Sequence, residues 1–593
     1  MVSASEIIKV EHISPSNSLI RVNADQGEYI LLPVQEGAPM SHIRVLADGR
    51  LDETLNIMLA ENKIDYFVPL KLKGRDGDNV LLDIRCDAGR SSMRDAKDGI
   101  WTKEIIVSDE FDTTNREKYR PLYHHTPLYG WMNDPNGMVY KDGVWHLSYQ
   151  WNPYGSKWEN MTWGHSTSKD LIHWESHQPS VDRDALGAIF SGSAAIDKTN
   201  STGFGENSIV AMYTSADASQ TQSLAHSSDG GYTFEKYPGN PVIAYDRESR
   251  DPNFFRDEAN NRWVLLLASA LDHEMLIFTS PDMKTWTLES KFGRGYGSQD
   301  GVWECPDLME LPVYKLNGEP TGKKKWVLIC NINPGGPFGG SAAQYFVGDF
   351  DGKTFTSESA PEVTKWIDYG KDYYAAVSFS DAPDNRHTII GWMSNWQYAN
   401  DVPTKQFRSA NSLPRDLSLF EGREGQTYLA SVPSPEVDLI RGKAIKYGKS
   451  GLSKKGKNYM LPAQNDGVCE IVISVEPKDE NPVEIKLSNK AGENVVMTID
   501  PKADTFSMDR TKSGLTDFSE HFPCVTTAPA YSADTKKYDI RIFIDRSSIE
   551  AFSSDGHFAM TNLVFPNSPY TTLTVSSPAS GKINDLKIYP VKY

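Results

Sequence analysis

Cysteine is scarce in this chain: five in 593 residues, namely Cys86, Cys305, Cys330, Cys469 and Cys524. The number is odd and no pair has metal-ligand spacing, so neither a disulfide framework nor a zinc site is expected. Positive charge is also in deficit, with 61 Lys and Arg against 79 Asp and Glu, a formal charge of −18. A phosphate backbone is held by a basic face, so nucleic acid is excluded as a partner. No Walker loop or glycine-rich dinucleotide turn follows a strand, and no metal or other cofactor is expected. Long apolar runs are missing too, which excludes a helical membrane span. The opening MVSASEIIKV has neither the charged nor the apolar segment of a secretory leader.

What the chain does have is length, aromatics and repetition. Its length calls for several domains. Aromatics reach 11%, with 14 Trp and 27 Tyr, which suits β architecture or sugar-stacking surfaces. Five apolar runs recur: WHLSYQ from Trp145, IVAMYTS from Ile209, WVLLLAS from Trp263, WVLICNI from Trp326 and TIIGWMS from Thr388. Four are followed by an Asp turn and an aromatic, ending at Trp174, Phe234, Trp286 and Phe355. Strand, turn and strand recurring in one register predict an all-β fold whose centre is a five-bladed β-propeller.

The flanks differ. Residues 1–112 hold alternating runs such as YILLPV and NVLLDIRC, which read as a small β-sandwich-like accessory domain. The propeller is expected over 113–430. A lysine-rich connector, RGKAIKYGKSGLSKKGK, and a C-terminal β-sandwich are expected over 431–593.

Three acids stand at the expected start of a blade's first strand: Asp134 in WMNDPNG, Asp251 in RDPNFF and Glu304 in WECP. Asn-Asp-Pro-Asn-Gly is by itself good turn chemistry. In a propeller, however, these starts border the central funnel, so acids 117 and 53 residues apart would meet at one mouth. Paired carboxylates in an aromatic pocket for an uncharged substrate point to glycoside hydrolysis. Trp303 and the neighbouring acids make Glu304 the expected proton donor. Asp134, in a donor-rich turn, is the expected nucleophile.

Together WMNDPNG, FSGS at 190–193, RDP at 250–252 and WECP at 303–306 resemble the signature blocks of glycoside hydrolase family 32, the β-fructofuranosidases. WGHSTSKDLIHW, DYYAA, GWMSNW, SLPRDLSL and DRSSIEAF also resemble family segments. The resemblance covers about 120–593 and implies a retaining attack on a β-fructofuranosyl unit by Asp134. Glu304 would be the acid and base, and Asp251 would stabilise the transition state. It further implies that Asn133, Gln150, Trp158, Phe190, Ser191, Arg250, Asp372 and Trp392 line or orient the fructose subsite. His165 reads as structural, and RDEANN at 256–261 as a solvated turn rather than a calcium site. Residues 1–112 resemble the extra β-domain of some gut-bacterial fructan-degrading members.

The expected activity is exo-acting release of fructose from levan- or inulin-type fructans, and from sucrose. An endo-fructanase, a fructosyltransferase and an inactive sugar-binding propeller are the alternatives. Linkage preference and oligomeric state stay open. Because polymeric fructan lies outside cells, export is expected, with any leader absent from this chain.

Overall fold

All five apolar runs are second strands of four-stranded antiparallel blades in the computed structural model, which describes residues 6–75, 77–86, 99–114, 116–246, 248–531 and 536–593. The five-bladed propeller expected from the repeat is present. Its innermost strands are Gly130–Lys141, Ala188–Asp197, Ser249–Asp257, Val302–Lys315 and Tyr374–Ser378. Each touches the next, and the fifth returns to the first. The short strand Phe407–Arg408 pairs in parallel with Gly130–Trp131 and helps to close the ring. Five apolar cores fill the wedges between neighbouring blades; one packs Val264 and Leu266 of the third blade on Leu328 and Cys330 of the fourth.

The repeated Asp turns have a mechanical cause. Asp170, Asp229, Asp282 and Asp351 each accept hydrogen bonds from backbone N–H groups two to four residues ahead. Each therefore folds the connection from a blade's third strand to its outer edge. RDEANN is likewise a capped turn, in which Asp257 accepts from Asn260 and pairs with Arg262 at 3.0 Å.

The N-terminal sandwich stacks a four-stranded on a five-stranded sheet, with Ile30, Leu32, Val45, Val68, Leu82 and Ile84 in its core. The C-terminal sandwich stacks seven on six strands. The lysine-rich stretch expected as a connector is instead edge structure. Ile445–Tyr447 and Ser450–Leu452 pair with Gly581–Pro590, and Lys457–Met460 pairs with Thr572–Ser576. Lysines suit that position, since they discourage further pairing at a sheet edge.

Propeller and C-terminal sandwich meet across buried charges. His124 bonds Asp545 at 2.7 Å through Nδ1 and Glu550 at 2.8 Å through Nε2. Arg415 bridges Asp368 at 2.8 Å and Glu550 at 2.6 Å. Thr561 donates to Asp368 at 2.8 Å. Gly370 lets the two backbones close, because a Cβ there would lie 1.9 Å from the Thr561 carbonyl oxygen. Burial alone would lower the His124 pKa, but the hydrogen bonds and charges of Asp545 and Glu550 prevail and hold it at about 9. Glu550 is also desolvated, yet Arg415 and His124 hold it down at about 2.

Candidate active site

The segment WMNDPNG is not a turn. It lies wholly inside a strand, whose register against Val144–Asn152 slips between Met132 and Pro135 and again between Asn136 and Val139. Turn-forming residue types occur there because a β-bulge uses locally turn-like backbone. The same slip recurs in every blade, at Ile189/Gly192, Arg250/Asn253, Glu304/Asp307 and Tyr374/Val377. Each slip sets two residues of the inner strand against one of its partner. A bulge bends the strand and re-aims its side chains, here at the mouth of the funnel. Asp251, Cys305 and Ala375, the first bulge residues of blades three to five, have φ of 63°, 43° and 52°. In FSGS, Gly192 ends the bulge where a Cβ would lie 2.0 Å from the Met212 carbonyl oxygen.

These bulges refine the expectation of one shared register. Glu304 precedes its bulge, Asp251 is the first residue of its bulge, and Asp134 is the second of its own. The acids thus occupy three successive slots on three blades. Arg250, Glu304 and Tyr374 share the slot before the bulge, and they join. Arg250 bonds Glu304 Oε1 at 3.0 Å through Nε and 2.9 Å through Nη2, while the Tyr374 hydroxyl donates to Oε2.

Cys305 knits the remaining pair together. Its Sγ lies 3.4 Å from Asp134 Oδ2 and 3.5 Å from Asp251 Oδ2, and its backbone N–H donates to Asp251 at 2.9 Å. Ser191 donates to Asp134 Oδ2 at 2.6 Å and Asn133 to Oδ1 at 2.9 Å. Asn133 is oriented in turn by the Trp131 indole N–H at 2.7 Å. The Asp251 N–H donates to Thr214, which stands opposite the second blade's bulge.

Electrostatics here differ from the expectation that a donor-rich setting keeps Asp134 low. The surrounding blades desolvate its carboxyl and, with the charge of Glu304, raise its pKa despite Ser191, Asn133 and Cys305. Asp251 is raised by burial first and then by Glu304, with Arg250 opposing.

Most expected subsite residues surround this cluster. Gln150, opposite the first bulge, donates to Asn136 Oδ1 at 2.8 Å. Phe190 flanks Ser191, and Trp158, 40% exposed, meets Phe190 edge-on with centroids 5.9 Å apart. Two expectations are corrected. Asp372 is fully buried and turned to the C-terminal sandwich, where Tyr398, Arg510 and the Leu563 N–H occupy its oxygens. A buried acid needs such partners, and Arg510 lies beyond the reach of any local sequence pattern. Trp392 has no exposed surface; it packs between Trp131, Tyr374 and Trp396 as a support beneath the site. Trp303, expected beside the acid, is buried between blades with its N–H on the Ser298 carbonyl. His165 is buried in the first blade, 3.2 Å from His146. Tyr374 was not among the expected residues, although its place in DYYAA matches those of Arg250 and Glu304.

Family models agree with this arrangement. The glycosyl hydrolases family 32 N-terminal domain matches residues 124–433 and the family 32 C-terminal domain matches 436–590. The chain belongs to glycoside hydrolase family 32. A domain of unknown function (DUF4980) matches 14–123. A levanase from Bacillus subtilis is 43% identical over 487 residues, covering 80% of this chain and 71% of the relative. An extracellular exo-inulinase from Aspergillus awamori is 36% identical over 493 residues, covering 76% and 90%. The crystal structure of exo-inulinase from that organism superposes with a TM-score of 0.75 at 33% identity, covering 81% of this chain and 99% of that one. A β-fructofuranosidase from Schwanniomyces occidentalis, complexed with fructosyl-erythritol, gives 0.75 at 31%, covering 82% and 100%. As a family 32 member, the chain is a glycoside hydrolase with an additional N-terminal sandwich.

Proposed function

We propose that this enzyme releases terminal fructose from β-linked fructans by a retaining double displacement. The observation that carries the reading is the meeting of Asp134, Asp251 and Glu304 around Cys305 and Arg250. The Asp134 carboxylate attacks C2 of the fructosyl unit as the C2–oxygen bond breaks, and Glu304 gives its proton to the departing oxygen. Water then attacks C2, Glu304 takes its proton, and the Asp134 carboxylate leaves. Asp251 holds sugar hydroxyls, and Arg250 and Tyr374 orient Glu304.

Levanase and exo-inulinase relatives support fructan as the substrate, and the exo-inulinases among them support attack at the chain end. The extracellular naming of those inulinases supports action outside the cell. Incubation with levan, inulin and sucrose tests the reading. Free fructose is expected from the first time points. Oligosaccharides appearing first would establish endo action, fructosyl-extended products at high sucrose would establish transfer, and no turnover would leave a sugar-binding propeller.

A further inference from the structure

Nothing in the family assignment says what the N-terminal sandwich does, yet most of its polar contacts with the propeller fall on one nine-residue connection of the first blade, others being Arg183 on Glu53 and Thr54 and Lys405 on Asp65. That connection, 153–161, joins the strands Val144–Asn152 and Thr162–Ser168 and carries Trp158. Tyr154 is buried in the apolar core of the N-terminal sandwich, and its hydroxyl donates to Glu53 at 2.6 Å. The Ser156 N–H donates to the Tyr66 hydroxyl at 3.1 Å. Glu36 accepts from Tyr66 at 2.6 Å and from the Ser156 hydroxyl. The Asn160 side chain closes on the Asn56 backbone, accepting from its N–H at 2.8 Å and donating to its carbonyl at 2.7 Å. Asn56 Nδ2 donates to Glu159 at 3.0 Å.

Trp158 and Lys157 turn the other way, as does Met161, which packs into a propeller core. The Trp158 N–H donates to Asn400 Oδ1 at 3.2 Å and the Lys157 ammonium to the Asn400 carbonyl at 2.6 Å. The Trp158 ring stands edge-on to Phe190, next to the Ser191 that holds Asp134. The loop is thus held on both sides of its exposed aromatic, and on one side the holding groups belong to another domain. A side chain that contacts substrate is only as well placed as the groups behind it.

We infer that the N-terminal sandwich fixes Trp158 at the funnel mouth, making Tyr66, Glu36 and Asn56 positioning residues for substrate binding. This rests on the reading of the funnel as a fructosyl site. The test is a double-mutant cycle on a short fructo-oligosaccharide with Tyr66→Phe, Trp158→Ala and both together, in the full chain. Tyr66→Phe removes the acceptor for the Ser156 N–H while keeping the ring. It is expected to raise KM about five-fold with kcat within about two-fold, the signature of lost binding shared by ground and transition states. In the Trp158→Ala background the same change is expected to add nothing. An unchanged KM, or a full five-fold addition in that background, overturns the inference. Should Tyr66→Phe fail to fold, Asn56→Ala replaces it under the same criteria, since it keeps both backbone bonds to Asn160. Absence of wild-type turnover overturns the fructosidase reading itself, whereas normal turnover with an additive cycle overturns only the positioning role.

Discussion

Two clusters of desolvated acids lie in this enzyme, and their opposite electrostatics distinguish the proposed catalytic site from a structural seam. In the funnel, Asp134, Asp251 and Glu304 crowd together with Arg250, which is committed to Glu304. Asp134 and Asp251 are raised by desolvation first and then by the charge of Glu304. At the seam with the C-terminal sandwich, Asp545 and Glu550 are more completely buried than Asp134 or Glu304 but face His124 and Arg415, and both are lowered. Desolvation acts on the aspartates of the funnel and on both seam acids. What differs is the partner: Asp134 and Asp251 meet neutral donors and the charge of Glu304, whereas Asp545 and Glu550 meet His124 and Arg415.

Substitutions can break that contrast. The largest expected effect is on catalysis: Asp134→Asn should lower kcat/KM for fructan by about 10⁴-fold or more, as loss of a nucleophile does. Unaltered fructose release would refute its role. Glu304→Gln should cost about 10²–10⁴-fold, and less on substrates with good leaving groups. An equal loss on all substrates would exclude it as the acid. At the seam, Arg415→Ala strands Asp368 without its cation, leaves Glu550 with His124 as its cation, and should destabilise by about 3–5 kcal/mol, read by denaturant unfolding.

Titration sharpens the same comparison. His124 is held at about 9, above its ordinary 6.5, so its contribution to stability is complete below 6.5 and lost as pH rises through 9. Glu550 is held at about 2, below its ordinary 4.5, so its contribution is complete above 4.5 and lost as pH falls through 2. The seam should therefore be strongest between these limits, with thermal unfolding easier on either side. A flat profile would refute the pairing. In the funnel the signs reverse. Because Asp134 is raised, the acid limb of kcat/KM should lie above 3.8. The smallest effect expected is a stabilisation of about 0.5–2 kcal/mol by Asp134→Asn, since removing a desolvated carboxylate relieves its repulsion with Glu304 at the expense of activity. Glu550→Gln should do the opposite.

Much of the fold could be read along the chain. Each second strand is largely buried on both faces, which in the third blade makes it the near-continuous apolar run WVLLLA, and each Asp turn is closed by residues within four positions. Local signals of that kind survive in a single sequence. The same holds for the acids, whose neighbours Pro, Gly and Asn mark departures from regular backbone. Reading those neighbours as turns was the natural error, because a bulge and a turn ask for the same residue types. The lysines of 441–457 misled for a similar reason, as edge strands and linkers are both rich in charge.

Residue chemistry and spacing by themselves determined the propeller, the two β-rich flanks and the trio of acids. Tertiary structure alone decided that these acids fill three successive slots around a bulge, that Tyr374 reaches Glu304, and that Asp372 serves a domain seam through Arg510. The physical reason is range: strand periodicity and turn closure act over a few residues, whereas partners 70 or 138 positions apart meet only once the blades have closed.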